Sequence, residues 1–354
     1  MLSLPETLVI SGRSFSAEAI IVVGWLVAVG IIWRMEINMR KFNLAILISI
    51  IGPALSVAPA NAQATRTWVS GVGDDANPCS RTAPCKTFAG SISKTAAGGE
   101  INCLDPGGFG ALTITKSITI SCEAGTAGVL VSGTNGFVIS AAATDVVVLN
   151  GLDFEGLGTG ISGIAIISAA TVHVQKSSIR NFRGGGSGIT LASNSISTHL
   201  YVSDTFISNN GNSSVTGGIV IKPQGTGTAA VVITNSKVDA NTSGVRADAT
   251  VTSGTVKATV EGSSISGNTN DGATAIANSA IASILMIDKS VVASNTLSGV
   301  VANGGTVLLG SSPVTGNGTG LNASNGGTLF SYRTNNINGN TNDNVAASTT
   351  LAPQ

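Results

Sequence analysis

Aromatic and charged side chains are scarce in this chain of 354 residues. Aromatic residues make up 4% of the sequence and charged residues 10%, and there are two histidines and four cysteines. Residues 63–354 keep 14 of the 18 basic and 15 of the 18 acidic side chains. Nucleic-acid binding needs a dense basic surface, so this balance excludes a nucleic-acid partner. The scarcity of aromatic rings also argues against the ring-lined sugar cleft of a polysaccharide-cleaving enzyme.

Glycine, small polar residues and aliphatic residues make up most of the remainder. The 45 glycines, together with Ser, Thr, Asn, Val and Ile, favour short β-strands separated by tight turns. Aliphatic residues recur along the whole chain, which a disordered sequence does not show. A chain of this length often divides into several domains, but a repeat architecture allows one elongated domain because each unit contacts only its neighbours.

Residues 39–62 have the three-part layout of a secretory signal peptide. Arg40 and Lys41 precede an apolar stretch that runs from residue 44 to residue 57, and small residues lead to Ala62. We expect cleavage after Ala62. The protein is therefore predicted to be secreted, periplasmic or held at the cell surface.

A second apolar run at residues 19–33 lies upstream and leaves two interpretations open. Either translation starts at Met39 and residues 1–38 are a mis-assigned start, or these residues form a real membrane segment that starts at Met1. The run is short for a hydrocarbon core of about 30 Å. Membrane contact is expected only through a leader that stays uncleaved.

All four cysteines lie between residues 79 and 122, and in an exported protein they are expected to form disulfides. Four cysteines allow three pairings. Cys79 with Cys85 and Cys103 with Cys122 is the favoured one, because the latter two occupy similar strand contexts about one repeat apart. Zinc binding is the alternative, although the spacings match no paired-cysteine zinc pattern.

A repeated pattern fills the chain from about residue 145 onward. Each copy has a β-run, small polar residues, one Ile or Val, an Asn, and then a glycine that opens another apolar strand, and equivalent positions lie 21 to 31 residues apart. The recurring Asn column is Asn210, Asn241, Asn268, Asn295, Asn317 and Asn340. We expect these side chains to form a structural ladder at a sharp corner, where Asn adopts left-handed backbone. A second column, Ser177, Thr205, Ser236, Ser263 and Ser290, is expected to face inward.

Residues 66–110 resemble the N-terminal cap of secreted bacterial β-helix proteins in the pectate-lyase-like superfamily. The matching features are the TWVS strand, the GVGDDANP turn, the APCKTFAGSI entry into a short helix, and the GGEINCLDPGGFG first coil. The resemblance implies an all-β fold, a right-handed parallel β-helix of roughly nine coils. A helix at about residues 87–95 would cover the first coil with Phe88 and Ile92. The domains are then the cap and first coil at 63–116, the repeats at 117–345 and a tail at 346–354.

The resemblance does not transfer an activity, because one scaffold serves many functions. The lyases that the chain resembles hold calcium with clustered aspartates beside a basic residue, and no coil here stacks three carboxylates beside Arg or Lys. Glu261 and Asp288 are expected to be outward neighbours in adjacent coils. They are a candidate calcium site or acid and base pair, or else two solvated carboxylates. Asp74 and Asp75 in the cap turn are a weaker calcium candidate.

The two histidines give the best candidate polar site. His173 and His199 are predicted to lie on the outer face of neighbouring coils, with Tyr201 stacked on His173 and Gln175 nearby. An imidazole beside a phenol suits glycan binding or, for His173, acid–base work.

An aliphatic strip is predicted on the same outer face, because alternation fails in the runs VVVL, AVVI, ILMI and VLL. Its members are Val146, Val148, Val232, Ile284, Met286, Thr306 and Leu308. Exposed aliphatic strips are typical of partner-binding surfaces.

Together these patterns predict an exported structural or binding β-helix with a polysaccharide or surface partner, no assigned catalysis and no required cofactor. The alternative prediction is a lyase or glycoside hydrolase that acts on an acidic polysaccharide.

Overall fold

The computed structural model describes residues 63–123, 127–278 and 282–352, together with two short strands nearer the N-terminus. These strands, β1 (Leu8–Ile10) and β2 (Arg13–Phe15), pair antiparallel. They belong to a separate compact unit, residues 1–62. The predicted signal peptide, its cleavage position and the upstream apolar run lie outside the described residues. Within the described part of the chain, no helix has the length and apolar character needed to cross a membrane.

Residues 63–354 form a second unit built of three parallel sheets, with strands numbered along the chain. The front sheet contains β3 (Ala64–Val69), β4 (Thr95–Cys103), β7 (Ile118–Ser121), β10 (Val146–Asn150), β13 (Thr171–Gln175), β16 (Ser197–Ser203), β19 (Thr228–Thr234), β22 (Val256–Glu261), β25 (Ser283–Asp288), β28 (Thr306–Gly310), β31 (Thr328–Ser331) and β33 (Ser348–Thr350). The second sheet contains β5 (Gly107–Gly108), β8 (Ala127–Leu130), β11 (Leu152–Glu155), β14 (Ser178–Arg180), β17 (Phe206–Ser208), β20 (Lys237–Asp239), β23 (Ser264–Ser266), β26 (Val291–Ala293), β29 (Pro313–Thr315) and β32 (Asn336–Ile337). The third sheet contains β6 (Leu112–Ile114), β9 (Phe137–Ser140), β12 (Ile164–Ser168), β15 (Ile189–Leu191), β18 (Ile219–Ile221), β21 (Val245–Asp248), β24 (Ala273–Ile276), β27 (Ser298–Asn303) and β30 (Thr319–Ser324).

Each complete coil takes one strand from each sheet in turn, and every strand pairs with its equivalent in the next coil. The 9-stranded third sheet therefore defines nine complete coils, from β4–β5–β6 to β28–β29–β30. The chain is a right-handed parallel β-helix, which confirms the fold prediction. Parallel strands joined within one sheet almost always wind in this hand, because of the intrinsic twist of L-peptide strands.

The interior changes character along the solenoid axis. Phe88, Phe109, Phe137 and Phe154 pack ring against ring in the first coils, with centroids 5.0 to 5.6 Å apart. Later coils are filled by Ile, Val, Leu and Ala from all three sheets. Strand alternation places these side chains inside and the intervening ones outside, as expected for period-two strands.

The cap closes the first coil with a helix shorter than the sequence predicted. Helix α1 spans Phe88–Ile92, and Thr87 caps it by accepting a hydrogen bond from Gly90 N through its side chain. The predicted continuation to residue 95 is wrong, because Thr95 already begins β4. Its backbone pairs with β3, and its hydroxyl donates to Ser91 O. Phe88 is fully buried, and Ile92 packs against the core.

Two disulfides hold the cap and the first coils. The structure pairs Cys79 with Cys85 and Cys103 with Cys122, the favoured pairing. The first closes the loop beside β3, and the second joins the ends of β4 and β7 in adjacent coils. Disulfides are compatible with an extracellular or periplasmic location.

A hydroxyl ladder lines the corner between the front and second sheets. Ser236 illustrates the pattern, because its Oγ donates to Thr234 O at 2.8 Å and accepts from Thr205 N at 3.2 Å. Ser177, Thr205, Ser263, Ser290 and Ser312 repeat this arrangement in their own coils. The hydroxyl oxygens therefore accept hydrogen bonds from the corner N–H groups that strand pairing leaves without an acceptor.

The six ladder asparagines lie at the corner between the second and third sheets. Asn268 is fully buried; its Nδ2 donates to Asn295 Oδ1 at 2.8 Å, and its own Oδ1 accepts from Asn241 N at 2.9 Å. In the coil before Asn210, Phe182 takes the ladder position, and its N–H donates to Asn210 Oδ1. At the other end, Asp343 accepts from the amide of Asn340.

The structure corrects one detail of this ladder. The left-handed residue is the one before each asparagine: Asn209, Ala240, Gly267, Ser294, Gly316 and Gly339, with φ between 55° and 74°. The ladder asparagines do not themselves turn the chain. Their amides point inward to bond the next coil, so the preceding residue makes the corner, and glycine occupies it three times at no steric cost.

Candidate functional site

The outward side chains of the front sheet form three columns along the solenoid. The central column is Thr119, Val148, His173, Tyr201, Val232, Thr259, Met286, Leu308 and Phe330. The polar column is Trp68, Asn102, Ser121, Asn150, Gln175, Ser203, Thr234, Glu261, Asp288 and Gly310. The third column is Val146, Thr171, His199, Ala230, Lys257, Ile284, Thr306 and Thr328. Neighbours within a column lie about 4.8 Å apart, the spacing of paired strands.

The His173 and Tyr201 rings form a stacked platform at the middle of this face. Their centroids lie 4.9 Å apart with an angle of 12° between the planes. The stacking follows from the register, because the two residues are direct partners in the pairing of β13 with β16. Partial burial lowers the pKa of His173 below its usual value, which keeps the imidazole neutral at neutral pH.

Polar groups surround the platform without protein partners. Gln175 and Ser203 are direct partners in the polar column, and His199 is exposed one position away in the third column. Among the residues that the structure describes, neither the Gln175 amide nor the Ser203 hydroxyl makes a side-chain hydrogen bond, and the Tyr201 phenol makes none. These groups are available to a ligand, and sequence reasoning placed His173, His199, Tyr201 and Gln175 together on this face.

The predicted aliphatic strip lies on the same face. Val148, Val232, Met286 and Leu308 belong to the central column, and Val146, Ile284 and Thr306 belong to the third column. The central members continue from the ring platform to Phe330 at the last coils. The strip therefore flanks the ring platform on both sides, and Thr259 interrupts its central column between Val232 and Met286.

Glu261 and Asp288 are neighbours in the polar column and share one cation. Lys289 Nζ lies 3.4 Å from Glu261 Oε1 and 3.5 Å from Asp288 Oδ2. The hydrogen bond to Glu261 and the charge of Asp288 raise the pKa of Lys289. The Lys289 ammonium therefore supplies positive charge to both carboxylates. Lys257, which is close in sequence, lies in the third column instead.

The cap carboxylates Asp74 and Asp75 accept hydrogen bonds that stabilise the cap turns. Asp74 Oδ1 accepts from Ala76 N, and Asp75 accepts from the N–H groups of Lys86 and Thr87 and from the Thr87 hydroxyl. Burial raises the pKa of Asp75, but these hydrogen bonds outweigh it and the net pKa is lowered. Across residues 63–123, 127–278 and 282–352, no group of three or more His, Cys, Asp or Glu side chains is arranged to hold a metal ion.

A charged cluster that sequence reasoning missed lies at the end of the third sheet. Asp248 is 1% exposed, and its Oδ2 lies 3.0 Å from Arg246 Nη2 and 3.4 Å from Lys222 Nζ. Its Oδ1 accepts from the hydroxyl and N–H of Thr250. Burial raises the pKa of Asp248, but the Thr250 hydrogen bonds and the two cations lower it further than burial raises it. The carboxylate binds both cations, which leaves one net positive charge on the cluster, and its bonds to Thr250 fix the turn after β21.

Comparison with known structures supports the fold. The chain is similar to pectate lyase Pel9A, with a TM-score of 0.51 and 16% identity over 77% of this chain and 78% of that one. Two weaker similarities are the Dettilon tailspike protein (TM-score 0.44, 12% identity, 77% and 67% covered) and GH136 lacto-N-biosidase from Eubacterium ramulus (TM-score 0.37, 9% identity, 82% and 67% covered).

The similarity to pectate lyase Pel9A shows the architecture alone. No protein-family model matches the sequence, and no curated protein matches it. The chain is a right-handed parallel β-helix protein with a pectate-lyase-like fold. Its function has to be inferred from the outward face.

Proposed function

We propose that this β-helix is an exported, non-catalytic glycan-binding protein that acts at the cell envelope or outside the cell. The observation that carries the proposal is the His173–Tyr201 platform, with uncommitted Gln175 and Ser203 beside it. A sugar ring has an apolar face of C–H groups and a rim of hydroxyls. It can stack on an aromatic ring while its rim bonds to neighbouring amides and hydroxyls.

The shape of the face also suits an extended ligand. From β10 to β19 the central column consists of Val148, His173, Tyr201 and Val232. It runs beside amide and hydroxyl side chains of the polar column, so neighbouring sugars would meet an apolar or aromatic surface next to hydrogen-bonding groups. The disulfides and the predicted signal peptide agree with action outside the cytoplasm. Calcium is not required by this proposal, because the platform contains no carboxylate.

Replacing Tyr201 by alanine is expected to weaken glycan binding by about tenfold or more, because the ring supplies the stacking surface. Phe206→Ala is the matched control. Phe206 is 43% exposed and Tyr201 is 38% exposed, but Phe206 lies on the outward face of the second sheet. The measurement is titration of the full chain and both variants with soluble neutral and acidic polysaccharides, with and without calcium.

Equal weakening in both variants, or none in either, would contradict the proposed site. The same mixtures are assayed for newly formed reducing and unsaturated sugar ends. Release of such ends that is abolished by His173→Ala or Asp288→Ala would make the protein a polysaccharide-cleaving enzyme, the alternative prediction.

A further inference from the structure

The ring platform lies in an uncharged patch of the front sheet. We define this patch as the outward residues of β10, β13, β16 and β19: Val146, Val148, Asn150, Thr171, His173, Gln175, Ser197, His199, Tyr201, Ser203, Thr228, Ala230, Val232 and Thr234. None of these side chains is Lys, Arg, Asp or Glu. Its two imidazoles are His173 and His199, and partial burial lowers the pKa of His173.

Along the outward columns that the structure describes, the nearest charged side chains lie beyond the two ends of the patch. Toward the N-terminus, Arg66 and Glu100 pair at 2.8 Å. Toward the C-terminus, Lys257 and the Glu261–Asp288–Lys289 group begin in the next coils.

The rims of the patch carry charges that are balanced or engaged. On one rim, Lys176 and Asp204 occupy equivalent corner positions in adjacent coils and have opposite signs. On the other rim, Asp145 accepts from the Ser117 hydroxyl and from Ala142 N. Lys222 lies there too, paired with Asp248. Each of these two rim lysines, Lys176 and Lys222, therefore has an acidic neighbour in the adjacent coil.

From this distribution we infer that the ligand of the patch is a neutral glycan. The inference rests on the proposed function and names its ligand class. A carboxylate or sulfate on the ligand would lose hydration at the platform without gaining a cation, which is costly. Proteins bind such groups with arginine or lysine, and the patch has neither. Its amides, hydroxyls and phenol instead match the uncharged hydroxyls of a neutral sugar.

The test uses pairs of glycans that share a backbone and differ in charge. The probes are methyl-esterified and de-esterified homogalacturonan, hydroxyethyl and carboxymethyl cellulose, and chitin and chitosan oligosaccharides of matched length. The full chain and Tyr201→Ala are titrated with each. We expect the neutral member of at least one pair to bind about tenfold more tightly than its charged counterpart. That affinity should stay nearly constant from about 50 to about 500 mM salt and should fall in Tyr201→Ala.

Failure of the neutral-ligand inference and failure of the proposed site would give different results. Tighter binding of the charged members, with a steep salt dependence and loss in Tyr201→Ala, would overturn the neutral-ligand inference and leave glycan binding at this face intact. Binding of no probe, or binding that Tyr201→Ala does not change, would overturn the proposed site and the inference with it.

Discussion

Replacing Asn268 by leucine is expected to destabilise the protein by about 3 kcal/mol or more. Asn268 is fully buried, and its amide bonds to the coils on both sides. Leucine is similar in size but removes every one of these hydrogen bonds. The N–H of Asn241 would lose its acceptor, and Asn295 Oδ1 would lose one of its two donors. Buried polar groups without partners carry their full desolvation cost.

Asn212→Leu is the matched control for this prediction. Asn212 is exposed in the turn that follows Asn210, and its backbone N–H donates to the Thr216 hydroxyl, which the substitution leaves in place. The measurement is denaturant unfolding followed by circular dichroism. A midpoint that falls for Asn268→Leu and stays near wild type for Asn212→Leu is the predicted result, and equal midpoints would mean that the ladder does not stabilise the corner.

Removing the Asp248 carboxylate should have a comparable effect, because it leaves two cations without a partner. In Asp248→Ala, Arg246 and Lys222 would repel each other, and Thr250 would lose its acceptor. Breaking a buried pair from one side typically costs about 3 kcal/mol. Glu261→Ala is the control, because its contact with Lys289 is solvent-exposed and such pairs contribute little.

The Asp248 effect should depend on pH in a defined direction. The pKa of Asp248 is lowered in the folded protein, so the carboxylate stabilises the fold above its unfolded pKa of about 4. This contribution is lost as the pH falls through the lower folded pKa. The stability difference between wild type and Asp248→Ala should therefore be full at pH 7 and shrink in strong acid. A difference that stays constant with pH would mean that the charge of Asp248 is not what stabilises the turn.

Much of the coil register could be predicted from the sequence because the repeat preserves two inward columns. The Ser and Asn columns recur at fixed offsets from each strand, so aligning them places Glu261 beside Asp288 and His173 beside Tyr201. What the columns could not show is which of two adjacent residues turns the corner. Asn suits both an inward amide and a left-handed backbone, and in the structure the preceding residue takes the second role.

The Asp248 cluster could not be predicted in the same way. Lys222, Arg246 and Asp248 come from the third sheet, where the sequence shows an opening glycine and few other fixed positions. Lys222 and Asp248 are 26 residues apart and lie one position beyond the paired residues Ile221 and Ala247, so their approach depends on the register of the third sheet. One signal was present: Asp followed two residues later by Thr is a turn-forming pair, and here the Asp248 carboxylate accepts from Thr250 N.

A glycan bound on the outward face of the front sheet should shield the side chains beneath it from oxidation, so hydroxyl-radical footprinting locates the ligand. The full chain is oxidised with and without the tightest-binding polysaccharide from the titrations, and modification of each side chain is read by mass spectrometry. We expect His173 and Tyr201 to become protected while Phe206, similarly exposed on the second sheet, does not. Protection of Phe206 with Tyr201 unchanged would place the ligand on another face and overturn the proposed site.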